Sequence, residues 1–170
     1  MSGRHLLAIP LALLVAAVAT APASAVIKPQ RSIAGVKPGM SQQRVLDRLG
    51  SPRRTSTRLG GSGADDPITT YTYPRRGLKV YSHPNRANTV NVVFSIEVYR
   101  KGQRTPSGIG LGSRRSAVDR RVSGSKCRRY DPTYAICFVG RGTTGSITTT
   151  FWLNHRNRVY KIDLSRIIGD

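Results

Sequence analysis

The sequence predicts an α+β fold of two tandem repeats, each a short helical layer packed on an antiparallel sheet of about four strands. In both halves of the chain a glycine turn and a helix-like segment precede four strand-like segments. The two halves also align at an offset of 73 residues, which places Gly35 on Gly108 and Val45 on Val118. We therefore expect an internal duplication that covers the chain after its N-terminal segment.

The first 25 residues are organised like a secretory signal peptide. Arg4 precedes an apolar run of 14 residues, Leu6 to Ala19, and Ala23-Ser24-Ala25 matches the small-x-small cleavage pattern. A membrane anchor is the alternative, but this run is shorter than the ~20 residues that cross a bilayer. We expect residues 1–25 to be removed, leaving a secreted protein, extracellular or associated with the cell envelope, that does not span the membrane.

Each predicted helix begins at a serine and is followed by a glycine. Ser41 and Ser113 are candidate N-caps, and Gly50 and Gly124 occupy the position where a left-handed residue ends a helix. Between cap and glycine, each segment has an apolar pair four residues apart on one helix face: Val45 with Leu49, and Val118 with Val122.

Strand-like segments rich in Val, Ile, Thr, Tyr and Phe follow each helix and are separated by Gly, Pro and Asn. They are 53–59, 68–73, 78–82 and 90–100 in the first half, and 126–130, 134–139, 146–153 and 158–164 in the second. The segment 101–107 contains Gly102 and Pro106 and is the predicted linker. The first repeat is therefore assigned to residues 26–104 and the second to residues 105–170.

The two cysteines of the chain belong to one predicted hairpin. Cys127 and Cys137 are equidistant from Pro132, which follows Asp131 in a turn-forming pair. Antiparallel strands around that turn would place the two cysteines opposite each other, and an exported chain meets an oxidising compartment where a disulfide persists. We predict a Cys127–Cys137 disulfide; two free redox-active thiols are the alternative, which the absence of a Cys-x-x-Cys motif disfavours.

The helix segments also carry a family resemblance. The first reads Ile33-x-Gly35-x-x-x-Gly39-Met40-Ser41-x-x-x-Val45-x-x-x-Leu49-Gly50-x-Pro52, and the second reads Gly108-Ile109-Gly110-Leu111-Gly112-Ser113-x-x-x-x-Val118. This pattern resembles the beta-lactamase-inhibitor-like fold, which is shared with small outer-membrane assembly lipoproteins of the SmpA/OmlA type. The resemblance implies two tandem copies whose open sheet faces form a concave protein-binding surface. The chain lacks the lipoprotein anchor cysteine and is unusually basic, and no inhibitory residue carries over.

The composition counts against catalytic and metal sites. The eight acidic residues are scattered singly apart from Asp65-Asp66, and two Cys with three His do not have zinc-site spacing. His83 and His155 lie in predicted turns, and no Gly-x-Ser-x-Gly motif occurs. We predict a non-enzymatic protein without cofactor or metal; a secreted enzyme without a recognisable motif is the alternative.

Alternation along the strands predicts which side chains face a partner. In segment 90–100 the continuously apolar set Val92, Phe94, Ile96 and Val98 is expected to face the helices, as are Tyr160, Ile162 and Leu164 near the C-terminus. The same reasoning predicts a partner-binding set on the outer face: Tyr71, Tyr73, Lys79, Tyr81, Tyr99, Trp152 and Lys161. Tyr and Trp are enriched at binding hot spots. The alternative is that these rings cover the sheet beneath arginine side chains, or fill a second small core.

The charge of the chain narrows the class of partner. Lys and Arg number 28 against eight acids, a formal net charge of +20, and five Arg-Arg pairs are spread over both halves. A field this strong attracts polyanions. We predict an inhibitor-like module that binds an acidic secreted or envelope protein through the sheet face. The alternative is an envelope protein whose arginines bind an anionic wall polymer; nucleic acid is disfavoured by export, and coding bias also explains a high arginine content.

Overall fold

The computed structural model describes residues 26–60, 67–85, 89–131 and 133–167, so the predicted signal peptide of residues 1–25 lies outside the described part. The elements in chain order are β1 (Ile27–Lys28), β2 (Ser32–Ile33), α1 (Gln42–Leu49), β3 (Arg54–Leu59), β4 (Pro67–Tyr73), β5 (Leu78–Pro84), β6 (Asn91–Val98), α2 (Arg115–Arg121), β7 (Lys126–Arg129), β8 (Ala135–Val139), β9 (Ile147–Leu153) and β10 (Val159–Arg166).

One antiparallel sheet of eight strands organises the chain, in the order β3-β4-β5-β6-β10-β9-β8-β7. Its centre is the pairing of β6 with β10, in which Val98 lies opposite Ile162 and Ile96 opposite Leu164. The short strands β1 and β2 form a separate two-stranded sheet. Neither helix of the described chain is long and apolar enough to cross a membrane.

The predicted α+β fold of two tandem helix-and-sheet repeats is wrong. The fold is mostly β, since the two helices have only eight and seven residues and eight strands form one sheet. The pairing of β6 with β10 joins all eight strands into one sheet, and one core serves the whole sheet. Alternation within a strand does not determine which edges pair, because pairing depends on contacts distant in sequence.

Both helices bury the apolar pairs that the sequence predicts. Helix α1 buries Val45 and Leu49, begins after Ser41 and ends at Gly50, whose φ of 79° favours glycine. In the second helix Val118 is buried, as is Val122 at the C-cap, but the N-cap is Arg114 rather than the predicted Ser113. The short helices therefore contribute mainly through these apolar contacts with the sheet.

The core lies between the sheet and a layer made of α1, α2 and the N-terminal strands. Fully buried side chains at its centre include Ile27, Ile33, Phe151, Ile162 and Leu164. Each such aliphatic or aromatic side chain contributes about 1.5–3 kcal/mol when it leaves water. The N-terminal turn is also tied to the sheet, because the Gln30 backbone N–H donates to Thr149 Oγ1 at 2.7 Å.

Two bulges reverse the alternation that the sequence predicts. In β6, Ser95 pairs with Tyr81 and Val93 pairs with Ser82, so Phe94 is an extra residue. The prediction that Val92 and Phe94 face the helices is therefore wrong: Val93 is buried, and the Phe94 ring lies 6.3 Å from that of Tyr81.

The second bulge is in β10, where the register shifts between Val159 and Lys161. Val159 is buried and Tyr160 is 48% exposed, so the inward assignment of Tyr160 is wrong. The remaining two inward assignments in this strand, Ile162 and Leu164, are confirmed.

The predicted disulfide between Cys127 and Cys137 is confirmed. The two residues are register partners in the β7–β8 hairpin, and their Cα atoms are 4.0 Å apart. In the turn, Asp131 Oδ1 accepts hydrogen bonds from the backbone N–H of Thr133 at 2.6 Å and of Tyr134 at 3.1 Å. Pro132 lies outside the described residues. The aspartate thus holds a tight turn that brings the cysteines together.

Candidate protein-binding face

The outer face is the side of the large sheet opposite to the core. It is defined by the residues that alternate with buried ones: Lys79 flanks the buried Val80, and Trp152 lies between the buried Phe151 and Leu153. The buried side chains of both helices belong to the core cluster on the other side. Among the described residues, therefore, no helix covers the outer face.

Five of the seven predicted partner-binding residues lie on the outer face, each partly exposed: Lys79, Tyr81, Tyr99, Trp152 and Lys161. The register brings Lys161 opposite Trp152, and the lysine Nζ lies 4.2 Å from the indole ring centroid. On the other side of the sheet centre, Lys79 Nζ lies 5.3 Å from the ring centroid of Tyr99. The face therefore has a lysine over an aromatic ring in each half.

The outward assignment of Tyr71 and Tyr73 is wrong. The two side chains are 3% and 4% exposed and belong to the core, where Tyr71 lies opposite Val80 and Tyr73 opposite Leu78. Strand β4 alternates Thr with Tyr, and its tyrosines are the large side chains that can fill the core. Alternation alone does not say which face of β4 is buried, because a tyrosine ring is large enough to pack a core as well as to line an interface.

An aromatic cluster, of which the sequence predicted only Trp152, extends the outer face across the second half of the sheet. We define the aromatic cluster as Tyr130, Tyr134, Phe138 and Trp152. The rings of Tyr130 and Tyr134 stack with centroids 5.4 Å apart, and Tyr134 lies 5.9 Å from Trp152. Alternation in the segment 134–139 would have placed Tyr134 and Phe138 on one face, but the hairpin was interpreted only through its cysteines.

An arginine side chain also lies over rings of the aromatic cluster, in addition to Lys161 over Trp152. The Arg128 guanidinium carbon is 5.4 Å from the ring centroids of both Tyr130 and Phe138. These cation–π contacts of Arg128 contribute about 0.5–1 kcal/mol each at exposed sites, and they hold the rings in one orientation. In the same cluster, Trp152 Nε1 is a buried donor with no hydrogen-bond partner in the described chain.

The centre of the outer face is polar. Glu97 lies opposite Asp163 across the β6–β10 pairing, and we call these two residues the carboxylate pair. Lys79 Nζ is 3.6 Å from Glu97 Oε1, and the Tyr81 hydroxyl donates to Glu97 Oε2 at 3.0 Å. Ser95 Oγ donates to Asp163 Oδ1 at 2.6 Å. The carboxylates are thus held in fixed positions between the aromatic groups.

Burial changes the titration of these central groups. It raises the pKa of Asp163, and the hydrogen bond from Ser95 and the charge of Lys161 only partly oppose that rise. Burial, together with the charge of Glu97 and its hydrogen bond, also raises the pKa of Tyr81 well above its ordinary value. Within the described ranges, no three His, Cys, Asp or Glu side chains lie close enough together to hold a metal ion. The arrangement provides aromatic contact area, two lysines and a hydrogen-bonded polar centre.

Comparisons with known proteins give only distant structural similarity. No protein-family model matches the chain, and no curated protein matches it. An extracellular protein containing a SCP domain from Bacillus anthracis superposes with a TM-score of 0.45 at 10% identity, over 76% of this chain and 44% of that one. A DUF4309 family protein from Bacillus subtilis superposes with a TM-score of 0.42 at 12% identity, over 74% of this chain and 78% of that one. Similarity this low carries no argument about function.

Proposed function

We propose that this chain is a secreted, non-enzymatic binding module that binds an acidic protein through the outer face of its sheet. The observation that carries the proposal is the aromatic cluster, which lies partly exposed on an uncovered sheet face with Lys161 and Arg128 over its rings. Rigid aromatic rings offer a large contact area at low entropic cost, and they are the side chains found most often at hot spots.

The charge supports an acidic partner. The chain carries a net charge of +20, and a single ion pair, Lys79 with Glu97, forms within the described residues. Most cationic side chains are therefore available to attract an acidic surface, which raises the rate of association more than the final affinity. The central carboxylate pair would fix the orientation of a bound partner by repelling misplaced acids.

The disulfide supports secretion. A Cys127–Cys137 bond persists in an oxidising compartment, which is where an exported protein functions. The sequence pattern that resembles secreted beta-lactamase inhibitors suggests a purified secreted beta-lactamase as the first probe of an inhibitor-like role, although the tandem-repeat fold that the resemblance implied does not form.

The test is capture and titration with matched variants. Immobilised protein would be exposed to the beta-lactamase and to culture fluid and wall extract from the producing cells. A captured protein supports the proposal when Trp152→Ala or Tyr134→Ala weakens its affinity about thirtyfold, the effect of 2 kcal/mol, with the fold unchanged. The control is Arg120→Gln on the exposed surface of α2, which leaves the outer face intact. Equal affinity of all variants would contradict the proposal.

A second candidate function is supported by the excess of cations. An envelope protein that binds an anionic wall polymer through its arginines would need the many exposed guanidinium groups that the chain has. Salt distinguishes the two candidates. Polymer binding should weaken steeply with salt and should not depend on Trp152, whereas binding through the aromatic cluster should depend on Trp152 at every salt concentration.

A further inference from the structure

A basic pocket lies on the helix side of the sheet, away from the outer face. It has a volume of about 700 Å³ and lies between the end of α1 and the turn that joins β4 to β5. Its lining residues are Leu49, Ser51, Arg53, Tyr73, Pro74, Arg75 and Arg76. Three arginines therefore surround one tyrosine, and no acid is among the lining residues.

The tyrosine in this pocket has an unused hydrogen-bonding group. Tyr73 is 4% exposed, and its hydroxyl is buried without a partner among the described residues. The charge of Arg76 acts on this hydroxyl and opposes the rise in the pKa of Tyr73 that burial causes. A buried hydroxyl without a partner is destabilising, so a ligand that supplies an acceptor here would relieve that cost.

The protein does not supply that acceptor from the neighbouring turn. The Tyr73 carbonyl already accepts the Arg76 backbone N–H at 3.1 Å, and the Pro74 carbonyl accepts that of Gly77 at 3.2 Å. The Arg76 carbonyl accepts a bond from the side chain of Gln103 at 3.0 Å. The same bonds fix the backbone of the turn, so the polar side-chain groups beside it that have no partner within the described chain include the guanidinium groups of the pocket and the buried Tyr73 hydroxyl.

We propose that this pocket is a binding site for a phosphate group, with Arg53, Arg75 and Arg76 neutralising its charge and the Tyr73 hydroxyl donating to one oxygen. Guanidinium groups bind phosphate oxygens in paired hydrogen bonds. The side chains named here are all donors, and a phosphate group supplies several acceptor oxygens for them. The site is independent of the outer face, because Tyr73 belongs to the opposite side of the sheet.

Titration calorimetry with inorganic phosphate and with glycerol 3-phosphate tests the proposal, using chloride at equal ionic strength as the reference. Wild-type protein should bind one phosphate group per chain. Stronger binding of the ester identifies a phosphate ester as the natural source, and equal or weaker binding identifies the free ion. Failure of both compounds to bind at millimolar concentration would overturn the proposal.

Two variants separate a built site from general attraction to a basic protein. Tyr73→Phe keeps the buried ring and removes only the hydroxyl, so phosphate affinity should fall about tenfold while the free protein stays folded. Arg76→Gln should weaken binding by a similar factor. Arg120→Gln, which removes the same charge from the exposed surface of α2, should change the affinity less than twofold. Wild-type affinity in Tyr73→Phe, or equal losses in the two arginine variants, would overturn the proposal.

Discussion

Asp163 lies directly opposite Glu97 where β10 pairs with β6, so two of the eight acidic residues of a strongly basic chain meet at the centre of the sheet. Lys79 compensates Glu97 at 3.6 Å, whereas Asp163 has its hydrogen bond from Ser95 and the nearby charge of Lys161. The two carboxylates therefore differ in their environment although they are register partners, and Asp163 is the one that burial disfavours as an anion.

Replacing that buried carboxylate should stabilise the protein at neutral pH. Burial raises the pKa of Asp163 above 3.8, so the folded state holds its proton more tightly than the unfolded state does. The stability from this group is fully present below pH 3.8 and is lost as the pH rises through the folded-state value. We expect Asp163→Asn to raise the free energy of unfolding at pH 7 and to lose that advantage in acid, as measured by urea denaturation from pH 3 to 7.

The control for this experiment is Asp119→Asn on the exposed surface of α2. That change should give no comparable gain at neutral pH. A destabilised Asp163→Asn protein at pH 7 would show that the hydrogen bond from Ser95 and the charge of Lys161 outweigh burial.

Tyrosine variants test the division between the two faces of the sheet. Tyr71→Ala should cost about 3–5 kcal/mol of stability, because it removes a buried ring that lies opposite Val80. Tyr81→Ala should cost only about 1 kcal/mol, because it removes a half-buried ring and one hydrogen bond to Glu97. Denaturant unfolding of both variants measures the difference. Similar losses would contradict the assignment of the two residues to opposite faces.

Local patterns predicted the elements and the covalent bond well. The apolar pair Val45 and Leu49 identified α1, and the symmetric placement of Cys127 and Cys137 about a turn identified the disulfide. These features depend on residues close in sequence, where spacing determines geometry. The outward positions of Lys79 and Trp152 followed from alternation for the same reason.

The local patterns could not predict which distant strands pair or where the strands contain bulges. The bulge at Phe94 is set by the register with β5, and the exposure of Tyr160 is set by the register with β9. One extra residue reverses every inward and outward assignment beyond it. The joining of β6 to β10 likewise depends on tertiary contacts, so the local patterns predicted two helix-and-sheet repeats and left open whether their sheets join.

Loss of the disulfide should weaken the β7–β8 hairpin measurably. The cysteines are ten residues apart, and closing a loop of this length stabilises the folded state by about 2–3 kcal/mol through the entropy of the unfolded chain. We expect reduced wild-type protein and the double variant Cys127→Ala/Cys137→Ala to unfold at a lower denaturant concentration. Their free energy of unfolding should be lower than that of the oxidised protein by about 2–3 kcal/mol. Reductant should have no effect on the double variant. A double variant or a reduced wild-type protein that is as stable as the oxidised wild-type protein would contradict the prediction.

Any side chain at Gly77, in the turn between β4 and β5, should lower the free energy of unfolding. This glycine has a φ of +64°, and a Cβ placed there would lie 2.6 Å from the Cβ of Arg100. Gly124 is the matched control, since its φ of +70° imposes similar backbone strain but no atom lies within 4 Å of its Cβ position. We expect Gly124→Ala to cost about 1–2 kcal/mol for the left-handed backbone alone. Gly77→Ala should cost about 1–3 kcal/mol more because the segment that follows β6 and carries Arg100 must shift. Denaturant unfolding measures both free energies. Equal costs would show that Arg100 moves freely and that the turn beside the basic pocket is not fixed by this contact.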